Sequence, residues 1–133
     1  MSTILFIPWL VLVLSFPTLK TLTNEKFHLA YFAYQQAKEN QIDPKKFIRL
    51  LDCESQLNKN AYGDWRSETK EFMANGIAQF WLDTFIKFAP KYEIKEKYLD
   101  PQGQIKLAAK MISQEKNGIY HWENCGIKTN FIK

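Results

Sequence analysis

The sequence is poor in the side chains that hold metals and cofactors. Its 133 residues include two cysteines, Cys53 and Cys125, and two histidines, His28 and His121. Two cysteines without histidines at ligand spacing do not make a zinc site, so no metal is expected, and nothing in the chain implies a cofactor. Internal repeats, low-complexity tracts and domain linkers are also missing, which leaves one domain. No run alternates well enough for a long strand, which argues against an all-β architecture. Clustered positive charge is absent too. The formal charge is +4 and the pI near 9.0, but the lysines are scattered with acids between them. Together with the lack of a nucleic-acid motif, this argues against DNA or RNA and leaves an anionic polysaccharide or cell surface as partner. What the chain does have is aromatic residues, ten Phe, six Tyr and four Trp, ample for a real core.

The long apolar run lies at the start. "ILFIPWLVLVLSF" (4–16) is uncharged, the length of a signal-peptide core and short for a spanning helix of about 20 residues. No Lys or Arg precedes it, Lys20 and Lys26 follow it, and no Ala-x-Ala site comes after. It reads as a signal peptide, an uncleaved membrane anchor, or a helix packed on the domain. Export, cleaved or anchored through residues 4–16, is the expectation, with a leader over 1–23 and a domain over 24–133. Export makes a Cys53–Cys125 disulfide the natural reading, closing a loop of about 70 residues and contributing on the order of 4 kcal/mol. In the cytosol the two would be separate buried thiols.

Downstream the chain reads as helices joined by loops. "NEKFHLAYFAYQQAKEN" (24–40) is helical, with Asn24 as N-cap and Phe27, Ala30, Tyr31, Tyr34 and Ala37 on one side. "DPKKFIRLLDCESQL" (43–57) starts with Asp43 as N-cap and Pro44 at the first helical position. Residues 58–75 read as a long loop with at most one short helical turn, and long loops in compact domains are usually functional. In "GIAQFWLDTFIKFAPKY" (76–92) Gly76 allows a turn, and a helix starts at Asp83 or its neighbour and stops by Pro90. "DPQGQIKLAAKMISQEKNG" (100–118) repeats the Asp-Pro start, with Ile105, Ala108, Ala109 and Ile112 as its core side and Gly118 as C-terminal cap. The fold class is mainly α.

Glu54 stands out. Phe47, Leu50, Leu51 and Leu57 form one apolar stripe at helical spacing, and Glu54 falls in its middle. A carboxylate sheltered among such residues is costly to ionise, so its pKa should rise, and a carboxyl that keeps its proton near neutrality serves as a general acid. Cleavage of a glycosidic bond requires such an acid. The alternative is a salt bridge. Arg49 points elsewhere on the helix, leaving Lys110 or another lysine.

"CESQLNKNAYGDW" followed by "NGIAQF" resembles the soluble lytic transglycosylase family of the lysozyme-like superfamily. The shared pattern is a Glu-Ser pair ending a helix (Glu54-Ser55), a nearby Asn and Ala (Asn58, Ala61), then Gly-x-x-Gln and an apolar residue (Gly76 to Phe80). It extends through "LDPQGQIKLAAKMI". The resemblance implies a compact helical domain with a cleft, acting on peptidoglycan. Glu54 would protonate the β-1,4 bond between N-acetylmuramic acid and N-acetylglucosamine, then act as base on the muramyl C6 hydroxyl, closing a 1,6-anhydro ring. Ser55 would contact substrate or fix the glutamate's surroundings. Gln79 would hydrogen-bond the sugar or the catalytic loop, Gly76 would let the backbone approach the ligand, and Asn58 reads as a cap of the helix end. Tyr62 and Trp65 are candidate sugar-stacking rings, while Phe80 and Trp81 read as core. The family's late Ala-Tyr-Asn-Ala-Gly segment is missing. "GIYHWENCG" (118–126) stands there instead, with Tyr120 or Trp122 to fill the tyrosine's place.

Two other readings remain. A hydrolase of the lysozyme type needs a second carboxylate, for which Asp64 and Asp83 are the candidates. A wall-binding or envelope-assembly protein would keep the fold without the chemistry. A monomer at the cell envelope is expected in each case.

Overall fold

Thr23 opens the part of the chain described by the computed structural model, residues 23–133, and caps its first helix. Its side-chain oxygen accepts from the Lys26 amide at 3.3 Å. The cap therefore falls one residue before Asn24, the first residue of α1 (Asn24–Glu39). Of the leader expected over residues 1–23, all but Thr23, its apolar run 4–16 included, lies outside the described residues. Among the described residues no helix is long and apolar enough to cross a membrane.

Helix α2 (Pro44–Ser55) starts as its sequence dictates. The Asp43 carboxylate accepts from the Lys45 and Lys46 amides, and Pro44 brings no amide that needs a partner. Phe47, Ile48, Leu50 and Leu51 are buried, against α1 on one side. Helix α3 (Leu82–Phe88) is short, and Pro90 begins a 3-10 turn, Pro90–Tyr92. Helix α4 (Pro101–Gln114) is capped by Asp100 as α2 is by Asp43. Its buried face carries Gln104, Ile105, Leu107, Ala108, Ala109 and Met111, while Ile112 is half-buried. A 3-10 turn, Gly118–Trp122, then leads into α5 (Glu123–Lys128).

Residues 58–75 are not a loop. They hold a hairpin of β1 (Tyr62–Arg66) and β2 (Glu71–Asn75), extended by β3 (Phe80–Trp81) into an antiparallel sheet of order β1-β2-β3. The hairpin hides from periodicity because β1 is largely exposed along its length, so no apolar face alternates with a polar one. Asp64 also adopts φ +52° in mid-strand. In a regular strand Tyr62 and Trp65 would point to opposite faces. Here both rings rest on Phe72, with centroids 4.4 and 4.8 Å away, and such aromatic contacts across strands hold a hairpin together.

Two expected caps are also replaced. Helix α2 ends with Gln56 and Leu57 both left-handed, at φ +55° and +57°, and the Asn58 side chain accepts from the Asn60 amide instead of capping the helix. Helix α4 ends at Gln114, before Gly118. Asn117 takes the left-handed turn, and Gly118 packs so closely that an added Cβ would lie 1.8 Å from the Met111 carbonyl oxygen. A Cys53–Cys125 disulfide, spanning 72 residues of sequence, ties α2 to α5.

Candidate active site

Glu54 lies in the last turn of α2 and faces a cavity of about 270 Å³, lined also by Asp64, Gln79, Trp81, His121 and Trp122. It forms no ion pair with any described residue. Burial first, and then the Asp64 charge, raise its carboxyl pKa to about 7, with Lys128, not Lys110, opposing them. Asp64 is fixed across the sheet, since its Oδ2 accepts from Trp81 Nε1 at 2.9 Å. The Arg66 guanidinium lies 5.2 Å from the Trp81 ring centroid.

The turn Gly76–Gln79, which brings Gln79 to the cavity wall, is held from several sides. The Ser55 hydroxyl lies 2.7 Å from the Ile77 carbonyl and 3.2 Å from that of Leu51. The Ala78 amide donates to Gln104 Oε1 at 3.0 Å, and Trp122 Nε1 donates to the Ala78 carbonyl at 2.7 Å. Gln79, left-handed at φ +53°, donates its side-chain amide to the Gly76 carbonyl at 2.9 Å. The Gly76 amide bonds the Ala61 carbonyl at 2.9 Å. Helices α2 and α4 and the late 3-10 turn thus converge on one short piece of backbone.

These bonds give the expected site residues physical roles. Ser55 is buried and anchors the turn to the Glu54 helix; it does not line the cavity. Gly76 is needed for its φ of +88° and because an added Cβ would lie 2.3 Å from Gln104 Nε2, so an interior amide, not a ligand, is what approaches it. Gln79 lines the cavity from the turn. Trp65 borders an adjoining cavity of about 360 Å³, and Tyr62 is 64% exposed on the hairpin. Tyr120 is exposed and not part of the cavity wall, which His121 and Trp122 form. Trp81 is not core. Its bond to Asp64 draws the indole across the hairpin, and it borders the Glu54 cavity and three adjoining ones. Asp83 borders a cavity that Glu54 does not reach.

Gln104 was not singled out by sequence, although it interrupts an apolar helix face as Glu54 does. It is fully buried, and its Nε2 donates to the carbonyls of Asn75 at 3.1 Å and Tyr98 at 2.8 Å. Gln104→Leu keeps the size but strands those two carbonyls and the Ala78 amide. A loss of about 3 kcal/mol in urea-denaturation stability is expected; a loss under about 0.5 kcal/mol would show that these bonds do not hold the turn.

Comparison with curated proteins and with solved structures found no match. The family model for the transglycosylase SLT domain matches residues 31–126, from within α1 through the Glu54 helix, the hairpin and the Gly76 turn to α5. The chain therefore belongs to the transglycosylase SLT domain family, whose activity is of the lytic-transglycosylase type on peptidoglycan, outside the cytoplasm.

Proposed function

We propose that the protein cleaves the β-1,4 bond between N-acetylmuramic acid and N-acetylglucosamine with Glu54 as general acid and then base, leaving a 1,6-anhydro end. The observation that carries this reading is the half-buried Glu54 carboxyl, with its pKa raised to about 7, in a cavity lined also by Gln79 of the family's Gly-x-x-Gln pattern. A protonated Glu54 gives its proton to the glycosidic oxygen as the muramyl C1–O bond breaks. The muramyl C6 hydroxyl then attacks C1, and the Glu54 carboxylate takes the hydroxyl proton, which restores the acid. An intramolecular hydroxyl has a high effective concentration, so neither a second carboxylate nor a cofactor is required. Trp81 and Trp65 offer ring faces along the groove for the apolar faces of sugars. The same reading has residues 1–23 as an export or anchoring segment and residues 24–133 as a monomeric catalytic domain. Mass analysis of muropeptides released from sacculi by the purified protein tests it. Anhydro ends support the reading, and intact sacculi at every pH refute it.

A hydrolytic reading gains support from Asp64, which shares the cavity with Glu54 and is held there by Trp81. That carboxylate would position a water, and products would carry reducing ends. Asp64→Asn separates the two. Under the anhydro mechanism the variant stays within about tenfold of wild type, and its alkaline limb moves to lower pH because a charge that raises the Glu54 pKa is gone. Under hydrolysis the loss is at least about a hundredfold.

A further inference from the structure

The late 3-10 turn that walls the Glu54 cavity places His121 in it. His121 borders both this cavity and an adjoining one of about 200 Å³, which also share Gln79, Trp81 and Trp122. Phe88 and Trp122 hold the imidazole edge-on, with centroids 5.6 and 6.0 Å away. Those contacts fix the ring through its aromatic framework. Neither ring nitrogen has a hydrogen-bond partner among the described residues. A neutral imidazole offers one donor and one acceptor, and this exposed ring presents both at the junction of the two cavities.

We propose that His121 contacts the glycan in its uncharged form and that protonation of this imidazole shuts cleavage down on the acid side, an inference that rests on the transglycosylase reading. Bond breaking builds positive charge on the muramyl ring. An imidazolium in the same cavity repels that charge and gives up its acceptor. The groups around the ring set when this happens. Burial and Lys87 on α3 lower the His121 pKa from its ordinary 6.5, against Glu115 at the end of α4. Glu54 on α2, Asp64 on β1 and Glu123 on α5 border the cavity, and Lys128 on α5 acts on Glu54. An ordinary carboxyl loses its proton well before an ordinary imidazole does. Here the two shifts run toward each other, the carboxyl raised and the imidazole lowered. Both favour a protonated Glu54 beside a neutral His121.

The test is the pH profile of kcat/KM for anhydro-product release by wild type, His121→Gln and His121→Arg. The wild type should be bell-shaped. His121→Gln, never charged, should lose the acid limb and keep the alkaline limb set by Glu54. His121→Arg, always charged, should fall at least about tenfold across the range. On Glu54→Gln protein, a tetrasaccharide of alternating N-acetylglucosamine and N-acetylmuramic acid should lower the His121 imidazole pKa followed by NMR. Anhydro product with an acid limb that survives in His121→Gln, or an imidazole pKa unmoved by the tetrasaccharide, sinks this inference alone. A wild type that yields no anhydro product at any pH sinks the transglycosylase reading and this inference with it.

Discussion

Glu54→Gln is expected to lower kcat/KM for release of anhydro-muropeptides by about a thousandfold or more, with binding of a saccharide measured by calorimetry left in place. The substitution keeps shape and hydrogen-bonding capacity but removes the transferable proton, and a positioned general acid is worth about two to four powers of ten. Because the same group would later serve as base, the loss belongs at the upper end of that range. Lysis of sacculi by the glutamine variant at the wild-type rate would remove Glu54 from the chemistry. Binding without lysis by the wild type itself would favour a wall-binding role.

The same substitution should stabilise the protein, and only above a certain pH. Burial, helped by the Asp64 charge, raises the Glu54 pKa from 4.5 in the open chain to about 7 in the fold. The folded state therefore holds its proton more tightly than the unfolded state. This group's favourable contribution is complete below pH 4.5 and is lost as pH rises through about 7. At pH 8 the native protein carries a charge that its surroundings disfavour, whereas glutamine carries none. Discounted for the partial exposure of the site, the gain at pH 8 is about 1–2 kcal/mol. Thermal unfolding of both proteins at pH 4 and pH 8 checks the sign. An equal change in Tm at the two pH values would mean that the effect is packing, not ionisation.

How far the sequence alone reaches depends on where each piece of information resides. The Asp43-Pro44 and Asp100-Pro101 helix starts are local, and both form as read. Glu54 is legible because a charge in an apolar stripe is a contradiction visible within one helix. The β1–β2 hairpin is not legible, since its rings pack on one another across strands and Asp64 breaks the alternation from which a strand is recognised. Trp81 reads as core from its apolar neighbours, but a bond to a residue 17 positions earlier draws it into the groove. The roles of Ser55, Gly76 and Gln104 depend on one another: a hydroxyl, a missing Cβ and an amide meet at a turn that none of them reveals alone. At the late segment the resemblance left Tyr120 or Trp122 for the tyrosine's place. The 3-10 geometry of Gly118–Trp122 brings Trp122 to the cavity with His121 beside it and leaves Tyr120 outside, a choice of register that residue types do not disclose.

Removing the disulfide with the paired Cys53→Ser, Cys125→Ser substitutions should cost about 4 kcal/mol, the loop-closure entropy returned to the unfolded chain by a bridge spanning 72 residues. For a domain of this size that is a large share of a total stability of about 5–15 kcal/mol, and Tm should fall by about 15 °C. The loss should not be spread evenly. Helix α5 has six residues, too few to persist without tertiary support, and Cys125 lies within it. The 3-10 turn before it carries His121 and Trp122, and Trp122 Nε1 holds the Ala78 carbonyl. Cys53 is the residue next to Glu54. Without the bridge, segment 118–128 is therefore expected to open first and take one wall of the cavity with it. Amide exchange in that segment should rise well before exchange in α1 and α4, and anhydro-product release should fall at temperatures where those two helices remain protected. Dithiothreitol on the wild type should reproduce both effects. If reduction moves Tm by less than about 3 °C, or if exchange rises uniformly through α1 and α4, the bridge is not what keeps the late segment against the Glu54 helix.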